Sequence, residues 1–114
     1  MSCPVTWFEI TSPSHEQLQG FYADLFGWKL QPLEGAGYTL VEGAEGGVPG
    51  GIGSSQGGPS QALFYIQVDD PQAYLDRIEA KGGKTVVPVT EIPDMVTFAQ
   101  FSDPDGNVVG LVKG

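Results

Sequence analysis

Apolar residues recur at helical spacing in the segment that follows Thr11-Ser12-Pro13. These residues are Leu18, Phe21, Tyr22, Leu25 and Phe26. Ser14 and Gln17 have the spacing of a capping box, and Gly27 can end the helix because glycine readily adopts the left-handed conformation. The pattern therefore predicts a helix that begins after Ser14 and has one wide apolar face.

A second helix is predicted over residues 71–81. Asp69 or Asp70 can cap it, and Pro71 suits the first helical turn because that position needs no N–H donor. Gly82-Gly83 then ends it. Its buried stripe is predicted to consist of Tyr74, Leu75 and Ile78.

Runs with the composition of β-strands precede and follow each predicted helix. In the first half they cover residues 5–10, 28–33, 38–42 and 50–54; in the second half they cover 62–68, 84–88, 95–102 and 107–112. Each half therefore has the order strand-helix-strand-strand-strand. Trp7 and Leu63 are 56 residues apart, since 63 − 7 = 56, and the same offset places Gly27 on Gly83. This indicates an internal duplication.

A glycine-rich segment, residues 43–60, lies near the junction of the halves and is predicted to be a mobile loop with a short strand around Ile52. It is either a lid or a flexible linker. We expect one domain, residues 1–114, with a first module over about 4–54 and a second over about 61–113. Pro88 predicts that the strand after Gly83 lies at a sheet edge or ends there.

Period-two alternation gives the first strand of each half one apolar face and one mixed face. The apolar faces carry Thr6, Phe8 and Ile10 in one strand and Phe64, Ile66 and Val68 in the other. The mixed faces carry Val5, Trp7 and Glu9, and Leu63, Tyr65 and Gln67. The apolar sets suit a sheet face covered by helices, and the mixed sets are typical of a ligand cleft.

Glu9 is the leading functional candidate, because burying an unpaired carboxylate costs free energy and raises its pKa. It is a candidate general base, or else a solvated carboxylate on an open sheet face. Trp7 and Tyr65 line the cleft or fill the core. His15 is predicted to be an exposed residue at a helix start, and Cys3 an ordinary thiol that can form no intrachain disulfide.

The composition excludes several classes of partner. Five Lys and Arg against fourteen Asp and Glu give a formal net charge of −9, which repels nucleic acids and anionic membrane surfaces. No apolar run approaches the roughly 20 residues of a membrane-spanning helix, and the N-terminus does not resemble a signal peptide. We therefore expect a cytoplasmic protein that binds neither nucleic acid nor membranes.

Five motifs, in their order along the chain, resemble the vicinal oxygen chelate superfamily. They are TWFEI, FYADLFGW, GGIG, YIQVDDPQAYLDRIEAKGGK and FSDPDGNVVGL. That superfamily includes glyoxalase I, extradiol dioxygenases, fosfomycin resistance enzymes and bleomycin resistance proteins. The resemblance implies an α+β fold of two tandem βαβββ modules that form a curled mixed sheet around a cleft, commonly completed by homodimerisation.

Enzymes of this superfamily bind a divalent metal through side chains on the first and last strands of each module. The resemblance places these positions on Trp7, Leu63 and Gly110, with Gly51, Ile52 and Gly53 as candidates for the last strand of the first module. None of these side chains can ligate a divalent cation. Glu9 with Gln67 would make an incomplete site, so we expect neither a metal nor another cofactor.

Three functions remain open. The first is a metal-free homodimer that binds a small aromatic or cationic molecule, as bleomycin resistance proteins do, through Trp7, Glu9, Leu63, Tyr65, Gln67 and Gly110. The second is a metal-independent isomerase, epimerase or lyase with Glu9 as general base. The third is a divalent-metal-dependent lyase or dioxygenase whose ligands come from unexpected positions or from a partner chain. The sequence leaves open whether the chain is an enzyme.

Overall fold

A computed structural model describes residues 2–114, and within them it contains eight strands and two helices. The first half consists of β1 (Val5–Ser12), α1 (His15–Phe26), β2 (Leu30–Leu33), β3 (Tyr38–Val41) and β4 (Gly50–Ser54). The second half consists of β5 (Gln61–Val68), α2 (Pro71–Ala80), β6 (Lys84–Ile92), β7 (Val96–Ser102) and β8 (Val108–Lys113). The predicted α+β fold with two βαβββ modules is confirmed. No helix in residues 2–114 is long and apolar enough to cross a membrane.

The chain divides into two compact units, and their boundaries differ from the module boundaries by several residues. The first unit is Trp7–Leu63, and the second combines residues 2–6 with Phe64–Gly114. The boundaries therefore fall inside β1 and inside β5.

Both units repeat one strand topology. The first has the strand order β2-β3-β4-β1, and the second has the order β6-β7-β8-β5. In each, the first strand of the module pairs in parallel with the last, and the other pairs are antiparallel. A parallel pair requires a long crossover, which the helix and the two intervening strands provide.

Helix α1 agrees with the sequence prediction at its C-terminus but not at its N-terminus. Ser14 is the N-cap but makes no side-chain cap hydrogen bond, so the predicted capping box is wrong. Instead, the backbone N–H of Ser14 donates to the hydroxyl of Ser12 at 3.0 Å, which orders the turn before the helix. Gly27 ends the helix with a left-handed φ of 67°, and its N–H donates to the Ala23 carbonyl at 2.9 Å.

Helix α2 has the predicted cap, since the Asp70 carboxylate accepts from the Ala73 N–H at 3.2 Å. At its other end Gly82, not Gly83, has a left-handed φ, of 97°. The equivalence of Gly83 with Gly27 is therefore wrong. Gly83 serves close packing, because an added Cβ would lie 2.7 Å from the Ser102 carbonyl oxygen.

The two helices are anchored to very different extents. Leu75 of α2 is only 2% exposed and belongs to a core cluster in the second unit, which consists of Val68, Leu75, Ala99, Phe101, Val109 and Leu111. None of the twelve residues of α1 is buried. Its predicted apolar face remains accessible, with Leu25 61% and Phe26 62% exposed. Among the contacts of α1, Tyr22 stacks on Trp28 with 4.9 Å between ring centroids.

Strand β6 extends beyond its predicted end at residue 88. It is the edge strand of its unit, as predicted, but it continues to Ile92. The pairing with β7 shifts register between Thr85 and Val87 and again between Val87 and Thr90. Pro88 falls within the second irregularity, where its missing N–H interrupts no regular ladder.

The turn before β8 is organised by Asp103. One carboxylate oxygen accepts from the backbone N–H groups of Asp105 and Asn107, both at 2.9 Å, and the other accepts from the Asn107 amide at 2.9 Å. Because the Asn107 side chain and backbone donate to the ionised form, they lower the pKa of Asp103 below its ordinary value of 3.8.

We predict a specific pH dependence for this turn. The folded-state pKa of Asp103 lies below the unfolded value, so the carboxylate stabilises the fold above pH 3.8, and this contribution disappears as the pH falls through the folded pKa. In urea unfolding between pH 2.5 and 6 (roughly the range over which carboxylates titrate), the stability difference between wild type and Asp103→Asn should be largest at the upper end and shrink towards the lower end. A stability difference that stays constant over this range would contradict the prediction.

Candidate functional site

The two faces of β1 are separated in the way that the alternation predicts. The Phe8 ring packs on Trp28 at 5.2 Å between centroids, and Ile10 borders a cavity together with Leu18 of α1. These residues lie on the helix side. Trp7 and Glu9 therefore project from the opposite side of the strand.

A hydrogen-bonded chain joins Trp7, Tyr38 and Glu9 on that opposite side. The indole Nε1–H of Trp7 donates to the Tyr38 hydroxyl at 3.2 Å, and the Tyr38 hydroxyl donates to Oε2 of Glu9 at 3.0 Å. All three side chains are half-buried. We call this group the Glu9 cluster. Tyr38 is the member that the sequence did not single out.

Glycines on β4 make the position of Tyr38 possible. Tyr38 pairs with Gly53 across β3 and β4, and its ring lies over the strand. A Cβ at Gly53 would be 2.6 Å from Cδ1 of the ring, and a Cβ at Gly51 would collide with the hydroxyl and the ring. The absence of side chains at these two positions is therefore what admits the phenol beside Glu9.

The second unit has its own tyrosine-over-glycine arrangement. Tyr65, which is 4% exposed, pairs with Gly110 of β8, and a Cβ at Gly110 would collide with the Tyr65 ring. The amide of Gln100 donates to the Tyr65 hydroxyl at 2.9 Å, and Phe98 contacts the ring edge-on at 6.5 Å. Gln100 is a second polar residue that sequence reasoning missed.

The other predicted site residues have separate surroundings. Leu63 ends the first unit and is 6% exposed. Gln67 is half-buried, its backbone N–H donates to the Pro4 carbonyl at 2.8 Å, and its side chain lies against Gly114. The structure therefore joins Trp7 with Glu9, and Tyr65 with Gly110, while Gln67 packs at the end of the chain.

His15 and Cys3 lie outside these groups. His15 is half-buried at the start of α1 rather than exposed, and its Nδ1 is the one buried side-chain N or O atom without a hydrogen-bond partner in residues 2–114. Cys3 is exposed, with its sulfur 3.4 Å from the Tyr74 hydroxyl. The hydrogen bond with Cys3 raises the pKa of Tyr74.

The residues present do not fit a divalent metal. Across residues 2–114, no group of three or more His, Cys, Asp or Glu side chains is close enough together to hold one. At the positions that the superfamily uses, Gly51 and Gly110 carry no donor, and the rings of Tyr38 and Tyr65 occupy the space that a side chain there would need. Glu9 alone is well short of the three protein ligands of a catalytic metal site.

Two sequence relatives match most of the chain. "Putative glyoxylase CFP32" of Mycobacterium tuberculosis is 30% identical over 113 residues, which is 92% of this chain, but the chain spans only 43% of that relative. A "Glyoxylase-like domain-containing protein" of Didymella fabae is 30% identical over 112 residues, with 90% of this chain and 88% of the relative covered.

A solved structure shares the fold. The Mn(II)-bound glyoxalase from Novosphingobium aromaticivorans superposes with a TM-score of 0.69 at 21% identity, covering 99% of this chain and 38% of that one. The model of the Glyoxalase/Bleomycin resistance protein/Dioxygenase superfamily matches residues 5–111. That range contains all eight strands except the last residues of β8. The chain therefore belongs to the glyoxalase/bleomycin resistance protein/dioxygenase superfamily.

Proposed function

We propose that the Glu9 cluster binds a small organic cation with an apolar body, without the help of a metal. The observation that carries this proposal is the hydrogen-bonded chain from Trp7 through Tyr38 to Glu9. It places a carboxylate and an indole on one side of one strand. A carboxylate supplies the opposite charge, and an indole face attracts a cation through its quadrupole.

Preorganisation supports this function. The Tyr38 hydroxyl donates to the carboxylate of Glu9 and accepts from the indole of Trp7, so one phenol restrains both groups. Restraint before binding lowers the entropy that must be lost when a ligand arrives. The glycines at 51 and 53 restrain the phenol in turn, because they admit its ring against the β4 backbone.

The charge of the chain favours the same class of ligand. A net charge of −9 raises the local concentration of cations near the surface. At 4 Å, opposite unit charges attract by about 4 kcal/mol at the effective dielectric constant near a protein surface, and water screens part of that for a half-buried group. Glu9 can therefore supply about one to two orders of magnitude in affinity.

A metal-free site is part of the proposal. Residues 2–114 bring no three His, Cys, Asp or Glu side chains together that could hold a metal ion. Bleomycin resistance proteins, in the same superfamily, provide the precedent for binding without a metal. We propose that this chain, like the bleomycin resistance proteins, uses the fold to bind a small molecule without a metal.

Glu9→Gln is expected to weaken binding of benzyltrimethylammonium at least about tenfold, because the substitution removes the charge and leaves the size nearly unchanged. Binding is measured by isothermal titration and by the rise in melting temperature, with benzyl alcohol as the uncharged comparison ligand. Glu42→Gln removes an exposed carboxylate from the same unit and is the control. Equal losses in both variants would refute a site at Glu9, and so would equal affinity for the charged and uncharged ligands.

A second candidate function is proton transfer, with Glu9 as the general base of a metal-independent isomerase, epimerase or lyase. The observation that favours it is the 3.0 Å hydrogen bond from the Tyr38 hydroxyl to Glu9, because a carboxylate and a phenol side by side can accept and return a proton. NMR detection of deuterium exchange into small carbonyl compounds tests it. Exchange that Glu9→Gln abolishes and Glu42→Gln preserves would support catalysis, and absence of exchange across the panel would refute it.

A further inference from the structure

A groove of about 380 Å³ lies beside α2 in the second unit, whereas the Glu9 cluster belongs to the first. Its walls include the rings of Tyr74 on α2 and Phe101 on β7. Phe101 belongs to the core under α2, so the groove lies on the helix side of the strands. The volume is within the range of about 300–1,000 Å³ that small-molecule sites occupy.

Two cations border this groove. Only five Lys and Arg occur in the chain, and three of them fall within residues 77–84. Two of these three line the groove: Arg77 lies in the last turn of α2, and Lys81 is the C-cap residue that follows the helix. The guanidinium of Arg77 lies over the Tyr74 ring, 5.1 Å from its centroid. The ring thus holds one of the two charges at the groove.

Nearby carboxylates are hydrogen-bonded to neutral groups. Asp76 accepts from the Gln72 amide at 3.0 Å, and Glu79 accepts from the Thr85 hydroxyl at 2.5 Å. Asp103, which lines the groove, accepts three hydrogen bonds within its own turn. With Arg77, Lys81 and Asp103 counted together, the groove lining carries a net positive charge in a strongly acidic protein.

Cations near a helix C-terminus also stabilise the helix through its dipole. That role requires neither an adjoining cavity nor aromatic walls. Here two basic residues line one concave surface together with three residues of large apolar area, Tyr74, Ile78 and Phe101. A planar carboxylate matches the two-pronged geometry of a guanidinium, and a flat apolar body matches the rings.

We infer that the groove between α2 and the end of β7 is a binding site for a small aromatic carboxylate. The carboxylate is held by Arg77 and Lys81, and the ring is held by Tyr74 and Phe101. This site takes an anion and lies in the second unit, so it is independent of the proposed cation site.

Benzoate tests this inference, with benzamide as its neutral counterpart of the same shape. In ¹H–¹⁵N spectra of the full chain, benzoate should shift the amides of residues 74–83 and 101–103 in a saturable manner, and added salt should weaken the effect because charge contributes to it. Benzamide should bind at least about tenfold more weakly. Equal affinity for the two compounds, or benzoate shifts located elsewhere, would overturn the assignment.

The variant Arg77→Gln/Lys81→Gln should lower benzoate affinity at least about tenfold, since both charge-assisted contacts are lost. The matched control is Lys29→Gln/Lys113→Gln, which changes the net charge by the same amount at exposed positions outside the groove. Thermal melts establish that both double variants are folded. An equal loss in the control would show non-specific charge attraction and would contradict the site, as would an unchanged affinity in the groove variant.

Discussion

Gly110→Ala is expected to lower the free energy of unfolding by about 1–3 kcal/mol, the range typical of overpacking in a filled core. The added Cβ would collide with the ring of Tyr65, which is only 4% exposed. The ring cannot move aside without losing its hydrogen bond from Gln100 and its contact with Phe98. Urea unfolding of wild type and variant measures the loss.

A double-mutant cycle identifies the cause of that loss. In the background Tyr65→Ala the ring is gone, so adding Gly110→Ala should cost less than it does in wild type by about 0.5 kcal/mol or more, the coupling typical of residues in contact. The control is Gly20→Ala in the interior of α1, where a Cβ would meet nothing within 4 Å. It should stabilise the protein by about 0.5–1 kcal/mol through the higher helix propensity of alanine. Additive effects at 65 and 110 would contradict the packing of Tyr65 over Gly110.

Leu75→Ala is expected to cost about 2–5 kcal/mol, the range for removing a buried leucine from a core. Leu75 is 2% exposed and belongs to the cluster that joins α2 to β7 and β8. The spread of the estimate reflects how far the surrounding side chains can close the cavity. Chemical denaturation at neutral pH gives the value directly.

The matched substitution in the other helix is Leu25→Ala. Leu25 is 61% exposed, so its replacement should change stability by no more than about 0.5 kcal/mol. The contrast tests the finding that α2 contributes Leu75 to a buried core, whereas α1 contributes no buried residue. Similar losses at both positions would contradict that finding.

Much of the fold follows from periodicity. Successive side chains of a strand point to opposite faces. The alternation therefore predicts correctly that Trp7 and Glu9 lie on one face of β1 and that Phe8 and Ile10 lie on the other. The helix stripe containing Leu75 was likewise evident from spacing. The duplicated βαβββ order was predictable because glycines and prolines mark the ends of the elements.

The position of Tyr38 beside Glu9 could not be predicted from the sequence, because it depends on contacts between residues that are far apart in the chain. Tyr38 joins Glu9 only because β3 pairs with β4, and the pairing register is set by tertiary packing rather than by local pattern. Gly51 and Gly53 were the available signal, since alternating glycines in a strand often admit a neighbouring ring. The predicted capping box is wrong for a local reason: Ser12, and not Ser14, supplies the side-chain acceptor at that turn.

The rings of Tyr38 and Tyr65 occupy the space that side chains at 51 and 110 would need, and a metal-free site is proposed on that basis. Metal analysis of the purified chain by mass spectrometry, followed by thermal melts with added Mn²⁺, Ni²⁺ and Zn²⁺, tests this most directly. We predict far less than one metal ion per chain and no saturable rise in melting temperature, because residues 2–114 bring no three His, Cys, Asp or Glu side chains together. One tightly bound divalent ion per chain, with a matching increase in melting temperature, would contradict the metal-free proposal.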